Sequence, residues 1–88
     1  MTPVLEQIYQ HRHGGLYIVD SVATHTDTKE RLVIHTHLYP FDSQTFARPI
    51  VEWTEDRFRP ITGKDYSELI KKDRHEFQLE IGLSRGAK

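Results

Sequence analysis

The chain has 88 residues and a mass of 10.4 kDa, room for one domain with a small core and no separate cofactor and substrate domains. It carries 12 Lys and Arg against 13 Asp and Glu, a net charge of −1, and a mean hydropathy of −0.63, so it lacks the basic excess of a non-specific nucleic-acid binder. Cysteine is absent, which excludes disulfides, thiolate metal sites and thiol nucleophiles. Six histidines would carry the charge from −1 to +5 on full protonation, so association and solubility are expected to respond to pH between about 5 and 7.

Residues 1–10 lack a basic stretch followed by a long apolar one, so no signal peptide is expected. Apolar runs such as Leu16–Val19 and Leu32–Ile34 fall far below the roughly 20 residues of a membrane span. The reading is a soluble, cytoplasmic, single-domain protein.

Thr2-Pro3 has the form of a helix start, with Val4, Leu5 and Ile8 as a short apolar face ended by Gly14-Gly15. Leu16–His25 is rich in β-branched and aromatic residues and predicts a strand. Asp27–Glu30 reads as a hairpin loop, and Arg31–Tyr39 as the returning strand. Alternation there places Leu32, Ile34 and Leu38 on one face and Val33, His35, His37 and Tyr39 on the other. The two segments should pair antiparallel, because the loop is too short for a parallel crossover.

Pro40–Thr45 predicts a loop and Phe46–Thr54 a third strand, with Pro49 at an edge or bulge because it cannot donate to a ladder. A short fourth strand is expected over Arg57–Ile61. Asp65 as N-cap with Glu68 three residues on resembles a capping box, opening a helix with Tyr66, Leu69 and Ile70 on one stripe. Beyond Arg74 the pattern fits two structures. Phe77, Leu79, Ile81 and Leu83 alternate as in a strand, while Tyr66, Ile70, Phe77 and Ile81 share a helical face. The alternation is followed here: helix to Arg74, then strand, then a basic tail over residues 84–88.

Two His-x-His pairs, His11/His13 and His35/His37, would point the same way on a strand and offer paired imidazoles to a metal, with His25 as a further ligand. The competing reading is that exposed strand faces tolerate histidine. No specific metal site and no cofactor are expected. A second set, His11, His25, Thr28, Arg48 and Arg57, is cationic and hydrogen-bonding, suited to a phosphate or carboxylate. Arg48 precedes Pro49, which holds it extended and gives its side chain a fixed direction. The rival role is structural, with Arg48 tied to carbonyls or to a carboxylate such as Glu55. No Gly-rich phosphate loop and no serine elbow accompanies either set. Tyr9, Tyr17, Tyr39, Phe46 and Trp53 read as core and rim.

Tyr9, His11, Gly14, Tyr17, Val19, Ala23, His25, Thr28, Leu38-Tyr39 and Arg48-Pro49 recur in an order and spacing that resembles the family called Domain of Unknown Function 1653. The likeness spans residues 9–61 and implies a small bacterial or phage protein. Asp27, His35, Phe46 and Ala47 stand where the family has Glu, Tyr, Trp and Val, and His13 and His37 lie outside its pattern. The family name assigns no activity, so the resemblance implies a fold and a set to watch: Arg48, His11, His25, Thr28 and Tyr39.

The fold expected is mainly β with a C-terminal helix, a small antiparallel sheet of SH3-like or partly open barrel form. The function expected is a binding module for an anionic small ligand, a nucleic-acid end or a protein partner, with homodimerisation through an exposed strand edge as a further option. The alternative is a small enzyme acting on a phosphorylated or nucleotide-like substrate through a histidine and Arg48. A concave pocket joining His11, His25 and Arg48 would favour the enzyme.

Overall fold

In a computed structural model, residues 2–86 are described. They form five strands, a 3₁₀ turn and two helices. The strands are β1 (Ile8–His11), β2 (Leu16–Thr24), β3 (Arg31–Tyr39), β4 (Thr45–Pro49) and β5 (Phe58–Pro60). The turn spans Ile50–Glu52, and the helices are α1 (Gly63–Leu69) and α2 (Arg74–Gly86). One antiparallel sheet of order β4-β3-β2-β1-β5 holds all five strands and leaves β4 and β5 as edges. The sheet is open, so the architecture is mainly β with a C-terminal helix, without barrel closure.

The expected hairpin is present, with Leu16 paired to Tyr39 and Thr24 to Arg31. Lys29 takes a positive φ of 62° in its loop, a conformation that lets the short connection close. Asp20 has no opposite partner, since Val19 pairs with His35 and Ser21 with Ile34. This bulge bends β2, and the Asp20 carboxylate accepts the Thr36 hydroxyl at 2.5 Å.

One face of the sheet carries the core of Tyr9, Val19, Val33, Trp53 and Phe58. Trp53 stacks on Phe58 with centroids 3.8 Å apart, and Tyr9 meets Trp53 edge-on at 5.2 Å. Fully burying such rings stabilises by roughly 2–3 kcal/mol each, so these three anchor the domain.

Several expectations are corrected. The N-terminal segment is not helical. Glu6 has φ +66°, outside the helical region, and its N–H donates to the Val19 carbonyl, so the segment runs along β2. Tyr9 anchors it by accepting the Val4 N–H at its hydroxyl. The following β1 was not anticipated as a strand. The third strand stops at Pro49 instead of Thr54, because the chain turns there into the 3₁₀ segment. The capping box belongs to Thr62 and Asp65, not to Asp65 and Glu68.

The alternating segment after Arg74 is helix, not strand. Phe77 and Ile81, four residues apart, are buried on one face of α2, while Leu79 and Leu83 remain 54% and 75% exposed. The helix docks on the β1–β2 turn at Gly14, where a Cβ would lie 3.0 Å from Phe77 Cε1 and 3.1 Å from Ile81 Cγ1. Gly14 also takes φ +117°, so both space and backbone select glycine there. Arg74 Nε and Gln78 Nε2 donate to the Pro40 carbonyl and fix the helix to the end of β3. Of the expected tail, residues 84–86 belong to α2, and Ala87 and Lys88 lie outside the described residues.

Candidate functional site

The sheet face that carries the core is left partly open between β4 and the end of α2. There a cleft of about 620 Å³ is lined by His11, Tyr17, His35, Phe46, Arg48 and Phe58, with Glu52 and Arg85 at its margins. That volume lies within the range of small-molecule sites. Strand pairing builds it. His35 stands opposite Val19 and Phe46, Tyr17 opposite His37, and His11 opposite Phe58, so side chains from β1 to β5 meet on one surface.

Arg48 is held from two sides. Its guanidinium lies 5.4 Å from the Phe58 ring centroid, and Nη1 donates to Glu52 Oε1 at 3.2 Å. Arg57 Nη1 donates to the same oxygen, also at 3.2 Å. One carboxylate therefore serves two guanidinium groups and leaves net positive charge. Arg48 Nε is buried and has no hydrogen-bond partner among the described residues. The acid anticipated for a structural Arg48 was Glu55; the acid found is Glu52. Arg85, over the Phe41 ring at 5.9 Å, makes no ion pair among the described residues. Both arginines act on His11 and Tyr17, which places two cations around the same opening.

The histidines are neutral donors or acceptors here, not cations. Burial, with His13 and then Arg48 adding to it, pushes the His11 pKa down to about 4. His11 Nδ1 accepts the His13 N–H at 3.2 Å, so its proton sits on Nε2, a donor. His35 is 3% exposed, and burial likewise lowers its pKa, against the Val33 carbonyl, which raises it. Its Nδ1 lies 3.1 Å from that carbonyl and must donate to it, which leaves Nε2 an acceptor. Tyr17 lies between the two histidines of β3, with centroids 5.3 Å from His35 and 4.8 Å from His37, and burial raises its hydroxyl pKa.

The His-x-His pair of β3 thus faces inward, not onto an exposed strand surface. His35 Nδ1 serves a backbone carbonyl and His37 Nε2 accepts the Phe41 N–H at 2.9 Å, so one nitrogen of each ring is committed to the backbone. His13 leaves β1 and joins Ser84 of α2 through Nδ1 at 2.8 Å. Among the described residues, no three His, Asp or Glu side chains are placed to share a metal ion.

Of the residues singled out in the sequence, the cleft brings together His11 and Arg48. His25 and Thr28 lie in the β2–β3 loop, where His25 Nδ1 accepts the N–H groups of Asp27 and Thr28 at 3.2 Å each. Tyr39 donates its hydroxyl to the Lys72 carbonyl at 2.6 Å and packs on Phe77, holding the helical segment to the sheet. The sequence reading leaves Tyr17 and Phe46 as core and rim, weighs His35 only as a metal ligand paired with His37, and does not single out Arg85. Strand alternation places His35 on the Val33 face; its departure from the family pattern had set it aside. Arg85 becomes part of the cleft only because residues 74–86 are helical.

The family described as "Protein of unknown function (DUF1653)" matches residues 7–74. That span includes the whole sheet and every cleft residue except Arg85. No curated protein and no solved structure matches the chain. No helix among the described residues is long and apolar enough to cross a membrane.

Proposed function

The chain belongs to the DUF1653 family, and from that premise and the cleft we propose a binding module that holds a small phosphate- or carboxylate-bearing ligand between Arg48 and Arg85. The observation that carries this reading is Arg48. Its direction is set by β4 and the Phe58 ring, and 30% of its side chain stays exposed where it lines the cleft. Charge-assisted hydrogen bonds from a guanidinium whose position is already fixed are the strong kind.

Binding is favoured over acid catalysis because burial holds His11 and His35 uncharged near neutral pH, without an imidazolium proton to give. His25, the other histidine of the family pattern, is remote from the cleft, so the joined pocket that would favour an enzyme is not assembled.

Isothermal titration of the full chain and of Arg48→Ala tests the reading against a panel running from inorganic phosphate and acetate to nucleoside monophosphates. At least one member should bind the native chain, and Arg48→Ala should lose tenfold or more in affinity while melting close to the parent. Equal binding by the two proteins, or no binding by either, would sink it.

A further inference from the structure

The cleft holds groups that an anion alone does not need. Phe46 remains 40% exposed on an edge strand, although its ring forms the cleft wall beside Tyr17 and His35, with centroids 6.4 and 5.8 Å away. An apolar ring left open on an edge strand is an aggregation liability unless something covers it. His35 offers the cleft an acceptor, since its Nδ1 proton is spent on the Val33 carbonyl. Glu52, at the margin, is also an acceptor. A carboxylate brings acceptors only, and the acidic O–H of a phosphate is discouraged beside an arginine, so a bare anion matches these acceptors poorly.

We infer that the ligand is an anion carried on a flat heterocyclic ring bearing an N–H donor, the chemistry of a nucleoside monophosphate. Its ring lies against Phe46, its N–H meets the His35 acceptor, and its anionic group meets Arg48. This deepens the anion-binding reading and rests on it. The volume of about 620 Å³ admits both parts of such a ligand. The polar inventory matches as well. His11 Nε2 is a donor and His35 Nε2 an acceptor, so the cleft carries both halves of the pattern that a heterocycle edge presents. Phe46 stands on the same face of β4 as Arg48, two residues away, so ring and anion would be held by one rigid strand.

The test is a ladder of probes titrated into the full chain by calorimetry. Ribose 5-phosphate has the anion and no aromatic ring. Phenyl phosphate adds a ring without an N–H donor. Adenosine, guanosine, cytidine and uridine 5′-monophosphates add the donor. The best monophosphate should bind at least tenfold tighter than ribose 5-phosphate, with phenyl phosphate between them. Stacking on one aromatic side chain contributes roughly five- to a hundredfold of such a gap. Phe46→Ala should remove most of the advantage and leave ribose 5-phosphate within about twofold of its native affinity. Phe46→Leu, which keeps apolar bulk without the π face, should do the same and serves if the alanine variant is poorly folded.

Ribose 5-phosphate binding as tightly as every nucleotide, in an Arg48-dependent way, would overturn this inference and leave the anion reading standing. Phenyl phosphate matching the best nucleotide would overturn the N–H donor. An equal loss for all probes in both Phe46 variants would overturn the stacking face. No binding by any probe would overturn both readings together.

Discussion

His37 makes acid a direct probe of the sheet. It is 4% exposed on β3, and its Nε2 accepts the Phe41 N–H at 2.9 Å, which requires that nitrogen to be unprotonated. Burial, with the Arg85 and Arg74 guanidiniums of α2 adding to it, pushes its pKa from 6.5 down to about 4. The unfolded chain takes up this proton near 6.5 and the folded chain resists it until about 4. The unfolded state therefore binds more protons in that window. The stabilisation is complete above about pH 6.5 and is lost as the pH falls toward 4. The gap from 6.5 to about 4, at about 1.4 kcal/mol per pH unit, is worth about 3 kcal/mol. By linkage, about 2 kcal/mol of it is gone at pH 5. Urea unfolding of the native chain and of His37→Gln at pH 7.5, 6 and 5 isolates this contribution. A Gln carbonyl can accept the Phe41 N–H without titrating, and His11 is present in both proteins. The native chain should lose about 2 kcal/mol more than the variant between pH 7.5 and 5. Parallel profiles, or a His37 titration by NMR near 6.5, would refute the reasoning.

Three further outcomes follow from the docking of α2. Phe77→Ala empties the contact with Gly14 and Tyr39 and should cost about 3–5 kcal/mol by urea titration; a loss under 1 would mean the helix is not packed there. Gly14→Ala meets Phe77 at 3.0 Å from a backbone at φ +117° and should cost about 1–3 kcal/mol by the same measurement. Leu79→Glu and Leu83→Lys fall on the exposed face of α2 and should each change stability by less than about 0.5 kcal/mol, whereas a strand burying them would lose several times that.

The hairpin was legible because its signals agree. Leu16–His25 and Arg31–Tyr39 are both β-branched and aromatic, and a four-residue polar loop permits only antiparallel return. The same logic failed where local and tertiary signals part. Phe77, Leu79, Ile81 and Leu83 satisfy a strand period, yet only the two that also satisfy a helical period are buried. What decides between them is the surface left bare at Gly14, which lies some sixty residues away and leaves no mark in the local pattern. The N-terminal segment erred for a like reason. Thr2-Pro3 is a sound helix start, but the backbone groups of residues 4–7 find partners on β2 and at the Tyr9 hydroxyl, and Glu6 turns out of the helical region to reach them.

The site divides along the same line. Arg48 was accessible to sequence reasoning because its pre-proline backbone and fork chemistry are local properties, and His11 because the family pattern holds it. His25 and Thr28 share that pattern, but their partners are each other's neighbours in one loop, so their regular spacing is accounted for by the turn they close. His35 is the opposite case. It departs from the family pattern, and the sheet turns it into the cleft beside Phe46, a second departure paired with it across β3 and β4. His35 with Phe46 presents an acceptor and an open ring there. The place of both side chains in the cleft follows from the register of β3 on β4, which sets His35 opposite Phe46 and Val33 opposite Arg48, and no local pattern carries that register.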